Sequence, residues 1–187
     1  MTRTRYYTAT TIDGYIADEH NSLDWLFEVP GERDSDEPEG FADFFSGIGA
    51  FALGATTYEW MLENEEMAAK PEKWQRWYGS TPVWVFTHRE LPRIPGVDIT
   101  FVQGDVRAVH QDMAAAAGDG DIWLMGGGEL VGSFADEGLL DELVLTVAPV
   151  TLGAGAALLP RRLTSARLKL TGVQQRGQFA ELRYAVG

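Results

Sequence analysis

Three consecutive glycines, Gly126–Gly128, close the apolar run Ile122-Trp-Leu-Met125 and lead into Glu129 and Leu130. The run reads as a buried strand, and Leu130, Val131, Phe134 and Ala135 then share one helical face. A strand that becomes a helix through glycines leaves backbone N–H groups unpaired at the positive end of that helix. No Cβ atom obstructs a ligand there, so the pattern suits a phosphate or pyrophosphate. The same residues would also serve a turn that is tight only for packing, and the triplet alone leaves both readings open.

Other residues with chemical potential are scattered. Asp24, in Ser22-Leu-Asp-Trp-Leu26, is a carboxylate next to Trp25, a ring able to stack on a heterocycle. Its competing reading is a turn cap beside a core anchor. Asp43 is a second carboxylate, or simply part of a solvated helix face. Tyr58 can reach a cleft, whereas Trp60 reads as packing. His88-Arg89 is a basic pair in an acidic chain, and Arg161-Arg162 follows Pro160. His20, His88 and His110 have no metal-ligand spacing.

Composition narrows the function classes. The chain has 187 residues, 45% hydrophobic, with a net charge of −13 and no cysteine. That length suits one domain with a substantial core. Disulfides and thiolate metal sites are excluded. The charge argues against nucleic acid as a partner, because phosphates need a basic surface. No apolar run approaches the ~20 residues needed to span a bilayer. Met1-Thr-Arg-Thr-Arg5 leads directly into a strand with no apolar signal core, so the expectation is a cytoplasmic protein with no membrane partner.

The elements that must position these residues follow from periodicity and turn chemistry. Arg5–Thr11 and Tyr15–Ala17 read as strands separated by the turn pair Asp13-Gly14. Val29–Gly40 is acidic and rich in glycine and proline, a loop expected to act as a lid. Phe41–Phe45 predicts a short helix, Gly49–Gly54 a buried strand, and Thr57–Glu65 a helix. Lys70–Tyr78 reads as helical, with Trp74 and Trp77 three residues apart. Val83–Thr87 and Asp98–Val102 are strands, and Asp105 caps a helix carrying Val106, Val109, Met113 and Ala116 on one face. Glu142–Val150 is another strand, and Ala166–Gln174 with Gln178–Val186 forms a hairpin broken at Arg176-Gly177. The sum is an α/β three-layer sandwich, with a mostly parallel central sheet and an antiparallel C-terminal hairpin. Ligands of such sheets sit beyond the carboxyl ends of the strands, where Gly54 and Gly126 should face one crevice.

Four segments in this order resemble the dihydrofolate reductase fold, in the branch of the C-terminal domain of the bacterial riboflavin-biosynthesis deaminase/reductase. They are Ala9–Ala17, Ala52–Tyr58, Ile122–Glu129 and Leu140–Pro149. The resemblance implies a single-domain reductase that binds NADPH along the carboxyl edge of its sheet. It implies that Ala9, Ile16 and Ala17 line the nicotinamide, and that Gly54, Thr56 and Thr57 meet the cofactor phosphates. Met125, Gly126, Gly127, Gly128, Glu129 and Leu130 would cradle the pyrophosphate. Thr87, His88 and Arg89 would recognise the adenosine ribose and its 2′-phosphate. A homodimer is implied as well.

Two departures qualify the likeness. Many dihydrofolate reductases carry an arginine where this chain has Ala55, so Arg89 must compensate or NADH becomes a usable cofactor. If Phe45 matches the substrate-contacting phenylalanine of that family, its carboxylate position is held by Phe41, which cannot relay a proton. The deaminase zinc site is also missing, because it needs cysteines. The resulting expectation is an NADPH-dependent reductase of a small heterocycle of pterin or ribosylaminopyrimidine type, similar to 5-amino-6-(5-phosphoribosylamino)uracil reductase. Asp24 is its candidate acid, and Trp25, Asp43, Phe45 and Tyr58 its candidate substrate contacts. The alternative is a nucleotide- or flavin-binding protein of the same fold without turnover; dihydrofolate reductase proper is the third choice.

Overall fold

Alternation within the strands decides how the layers stack. In the strand Ile48–Gly54 (β3), Phe51 and Leu53 enter one core while Ala50 and Ala52 enter the other. The strand Asp121–Gly126 (β6) divides in the same way, with Trp123 on one face and Ile122 and Leu124 on the opposite one. Both faces are therefore apolar, and each must be covered. The computed structural model describes residues 1–30 and 40–187. Most of the expected acidic lid, residues 31–39, lies outside the described residues.

Around β3 and β6 run Thr4–Thr11 (β1), Val83–Phe86 (β4), Ile99–Val102 (β5) and Glu142–Ala148 (β7). The C-terminal hairpin adds Leu168–Arg176 (β9) and Phe179–Val186 (β10). The sheet order is β5-β4-β3-β6-β1-β7-β10-β9. The first six are parallel, and β10 joins β7 antiparallel. This is the expected mostly parallel sheet with an antiparallel C-terminal edge.

Helices Ala55–Asn64 (α3) and Pro71–Tyr78 (α4) supply Tyr58, Met61, Trp74 and Tyr78 to one core. The short helix Phe41–Phe45 (α2) adds Phe44 on that side. Helices Val106–Ala117 (α5) and Gly128–Asp136 (α6) cover the other face. Asp105 caps α5 as expected, its carboxylate accepting from Arg107 N at 2.8 Å.

Three local features depart from expectation. Asp24–Phe27 forms a single helical turn (α1). Helix α3 starts at Ala55 rather than Thr57, because Gly54 takes the extended conformation of an N-cap. The segment around Gly155 contains a two-residue strand, Ala156–Ala157 (β8), paired antiparallel with Tyr15–Ala17 (β2). No periodicity can announce a strand of two alanines.

The buried carboxylate Glu181 on β10 is held between Arg176 and Arg183, each at 2.7 Å. Burial alone would raise its pKa, but hydrogen bonds from Arg183 and Arg176 outweigh that and hold it below the ordinary carboxylate value.

Candidate active site

Because β1, β3, β6 and β7 are parallel, their carboxyl ends share one edge, and a cavity of about 630 Å³ opens there. One end of it is made by two helix starts. Gly54 and Gly127 are the N-caps of α3 and α6, both extended and neither making a side-chain cap hydrogen bond. A Cβ placed on Gly54 would lie 3.7 Å from Gly126 O and 3.8 Å from Gly127 N. The two glycine breaks thus face each other as the sheet topology required. Both helix starts line the cavity, Gly54 with Ala55, Thr56 and Thr57 and Gly127 with Gly128, and first-turn N–H groups have no partner within their own helix.

The three glycines have three different reasons. Gly126 adopts φ +124°, closed to ordinary side chains, and its peptide bond to Gly127 is cis. Gly126 itself is not among the residues lining the cavity. Gly127 does line it, and a Cβ there would only graze Ile16 Cδ1 at 3.8 Å. Gly128 is a packing glycine, since a Cβ would sit 2.3 Å from Ala157 O and 2.6 Å from Leu158 O. Gly127 thus faces open cavity, while Gly128 lines the cavity and also packs against the β8 segment.

Ala9, Ile16 and Ala17 form an apolar wall, closed by Ala156 and Ala157 of the β2–β8 ribbon. Asp13 fixes that ribbon. Its carboxylate accepts from Thr11 Oγ1 at 2.5 Å and from Gly153 N at 2.7 Å, and these bonds hold its pKa below the ordinary value. Met125, Glu129 and Leu130 also line the cavity. The Glu129 carboxylate turns outward to Arg161, 2.9 Å away, and Arg161 is gripped from its other side by Asp136 at 2.7 Å.

The opposite end is aromatic. Tyr7 and Phe41 approach with ring centroids 6.1 Å apart, Phe41 and Trp123 at 5.5 Å, and Trp123 and Tyr78 at 6.2 Å. Trp77 adjoins Tyr78 at 6.2 Å, and Trp60 also lines the cavity; Trp25 lines it too but packs with Ala148 and Phe179. Glu65, the C-cap of α3, is the carboxylate at this end. Lys73 holds it, with Nζ 3.2 Å from Oε2 and 3.0 Å from the Glu65 backbone oxygen. Burial, and then the charge of Glu65, push the Tyr78 hydroxyl upward, so it stays protonated.

Several expected site residues lie elsewhere. Asp24 is exposed at the start of α1 and Asp43 is exposed on α2; neither lines the cavity. A helical turn that buries Trp25 sends its neighbour outward. Tyr58 is fully buried, donates to Pro92 O at 2.6 Å, and is pushed up to about 12 by burial, so it serves the core. Phe45 packs against Phe51, Tyr78 and Trp123 behind the cavity wall. Thr87, His88 and Arg89 form a turn outside the lining, where Arg89 makes a two-pronged ion pair with Glu59 at 2.7 and 2.8 Å. Trp25 is in place. Trp60, read as packing, is a wall residue, one turn of α3 beyond Thr56 and Thr57.

Glu65, Trp77, Trp123 and Thr146 had not been singled out for the site. The one available signal was Trp77, three residues from the fully buried Trp74 and so on the adjoining face of α4.

The residues present fit a dinucleotide. The two open helix starts suit a pyrophosphate, and Gly54 and Gly127 leave space that a side chain would fill. Among the described residues, two buried side-chain polar atoms lack a hydrogen-bond partner, Trp25 Nε1 and Thr146 Oγ1, and both residues line the cavity. An orphaned buried donor costs about 1–3 kcal/mol, a cost that a bound polar ligand relieves.

Comparison with known proteins fits this geometry. A family model described as the RibD C-terminal domain matches residues 69–180. The chain belongs to this family. The matched range of the RibD C-terminal domain runs from α4 into β10 and includes the β6–α6 junction. The Bacillus subtilis (strain 168) protein YwjB is 33% identical over 182 residues, covering 97% of each chain, so the likeness extends to β1, β2 and β3. Among solved structures, a Shewanella sp. PV-4 protein whose provisional name assigns it to riboflavin biosynthesis superposes with a TM-score of 0.79. It is 25% identical, over 99% of both chains. Enterococcus faecalis dihydrofolate reductase, complexed with NADP(H) and RAB-propyl, superposes with a TM-score of 0.59 at 15% identity, covering 99% of this chain and 96% of its own. That likeness establishes the dihydrofolate reductase fold for this RibD C-terminal domain.

Proposed function

We propose that this protein is an NADPH-dependent reductase of a small planar heterocycle, of pterin or ribosylaminopyrimidine type, with NADH as a weaker cofactor. The observation that carries the reading is the pairing of two uncapped helix starts at one end of a single cavity with a box of rings at the other. When bound, the cofactor supplies the hydride. Everything else falls to the chain. Gly54 and Gly127 allow main-chain N–H groups to approach a pyrophosphate, and the hydroxyls of Thr56 and Thr57 donate to its oxygens. Ala9, Ile16 and Ala17 keep water from the hydride path, with the Asp13 clamp holding the ribbon of Ile16 and Ala17 in place. The Trp25 N–H and Thr146 hydroxyl provide polar contacts beside that path. Arg89, on release from Glu59, reads the 2′-phosphate.

A second reading, a nucleotide- or flavin-binding protein without turnover, draws on Phe41 lining the cavity where a proton-donating carboxylate was sought. One experiment separates the two. Calorimetry with NADPH, NADH and flavin measures binding, and loss of nicotinamide absorbance over a pterin and pyrimidine panel measures turnover. The reductase reading expects tight NADPH binding, weaker NADH binding, and oxidation with at least one ring. Binding without oxidation across the panel favours the second reading, and no binding of any of the three rejects both.

A further inference from the structure

Among the described residues, the charged side chains that line the cavity are Glu65 and Glu129, both carboxylates. Glu129 is 78% exposed and turned toward Arg161. Glu65 differs: its side chain is only 20% exposed, its charge acts on Tyr78, and it lines the same cavity as Trp60 and Trp77. The cation nearest Glu65, Lys73, is doubly engaged by its carboxylate and its backbone oxygen. Arg161 is likewise held by Glu129 and Asp136, and Arg89 by Glu59. A phosphate entering the aromatic end would meet a fixed negative charge whose counter-ion is already used. A ring edge carrying N–H groups would instead find a carboxylate acceptor, while its faces stack on indole and phenol rings.

We propose that the aromatic end selects a planar ring that presents N–H donors and carries no phosphate, with Glu65 as the specificity-determining acceptor. The proposal rests on the reductase reading for the identity of the other end of the cavity. It separates this chain from an enzyme whose substrate is 5-amino-6-(5-phosphoribosylamino)uracil. Glu65 both attracts the donor edge and repels the phosphate. The Tyr78 hydroxyl, kept protonated beside it, adds a donor for a ring carbonyl. The end of the cavity thus offers both an acceptor and a donor.

The test uses 5-amino-6-(5-phosphoribosylamino)uracil and its dephosphorylated form as paired probes, titrated by calorimetry into the full chain with and without saturating NADPH. The expected result is at least tenfold tighter binding of the dephosphorylated form to the native protein. In Glu65→Gln the preference shrinks to about threefold or less, because the phosphorylated probe gains as the other loses. NADPH affinity and the melting temperature serve as checks that the variant is folded, and Glu65→Asp should retain most of the preference. Equal or tighter binding of the phosphorylated probe overturns the proposal. So does an unchanged ratio in folded Glu65→Gln, or binding of neither probe. Failure of NADPH to bind would instead strike the reductase reading, and the probe ratio is still read without it.

Discussion

At the glycine end the cavity wall is main chain, two helix starts meeting across Gly54 and Gly127. At the aromatic end it is side chain, with rings contributed by β1, α2, α3, α4 and β6. The first is built from two contiguous segments, each a strand running into its own helix. The second exists only because the sheet order brings distant segments together. A main-chain wall recognises what is common to many ligands, namely phosphate. A side-chain wall recognises what is particular to one.

Substitutions can break or sharpen that division. The largest effect is expected from Gly128→Ala, whose new methyl group would meet the Ala157 and Leu158 carbonyls. Overpacking against main chain should cost about 3 kcal/mol or more of stability, seen as a lower urea midpoint with binding lost as a consequence. Its neighbour should behave differently. Gly127→Val is expected to weaken NADPH binding about a hundredfold, near 2.7 kcal/mol, while leaving the melting temperature within a few degrees. Equal NADPH affinity in this variant and the native protein would remove Gly127 from the phosphate wall.

Trp77→Ala tests the other end. Loss of a stacking surface should weaken ring binding about tenfold and leave NADPH affinity unchanged. A parallel loss of both would show that the two ends are not independent. A smaller effect is expected from Glu59→Gln, which frees Arg89 from its ion pair. NADPH affinity should rise about threefold with NADH unaffected, and a uniform change would detach Arg89 from the 2′-phosphate.

Glu181, which is not among the residues lining the cavity, supplies a test of stability alone. Its folded pKa is lowered, so the stability it contributes is full above the ordinary carboxylate range and is lost as pH falls through the folded value. The melting temperature should therefore decline in acid more steeply for the native protein than for Glu181→Gln. Identical slopes would show that its arginine pairs contribute nothing.

The same division explains what could be read from residues alone. Gly126–Gly128 and Gly54–Thr57 announced the glycine end of the cavity because strand, glycine and helix are consecutive, and their physics is local. The hairpin at Arg176-Gly177 and the Asp105 cap were legible for the same reason. Asp24 and Asp43 misled because a carboxylate's chemistry is visible in sequence while its direction is not. One helical turn that buries Trp25 or Phe44 turns the adjacent acid to solvent. Tyr58 misled in the reverse sense, being drawn inward to Pro92. Glu65 was not singled out, and Trp77 was read only as a helical residue, because their sharing one cavity depends on α3 and α4 packing on the same face of the sheet, a tertiary fact. The two-residue β8 left no periodic trace at all.

Trp25, Trp60, Trp77 and Trp123 line the cavity, while Trp74 and Trp84 belong to the core clusters. Four indoles therefore surround the ligand space, and indole emission overlaps the absorption band of a reduced nicotinamide. The molecule is its own optical instrument. Cofactor arrival should appear as resonance energy transfer with new blue emission, and ring arrival as loss of indole intensity without it. Stopped-flow records of the two signals would give the order in which the ends fill, with no label attached to the chain.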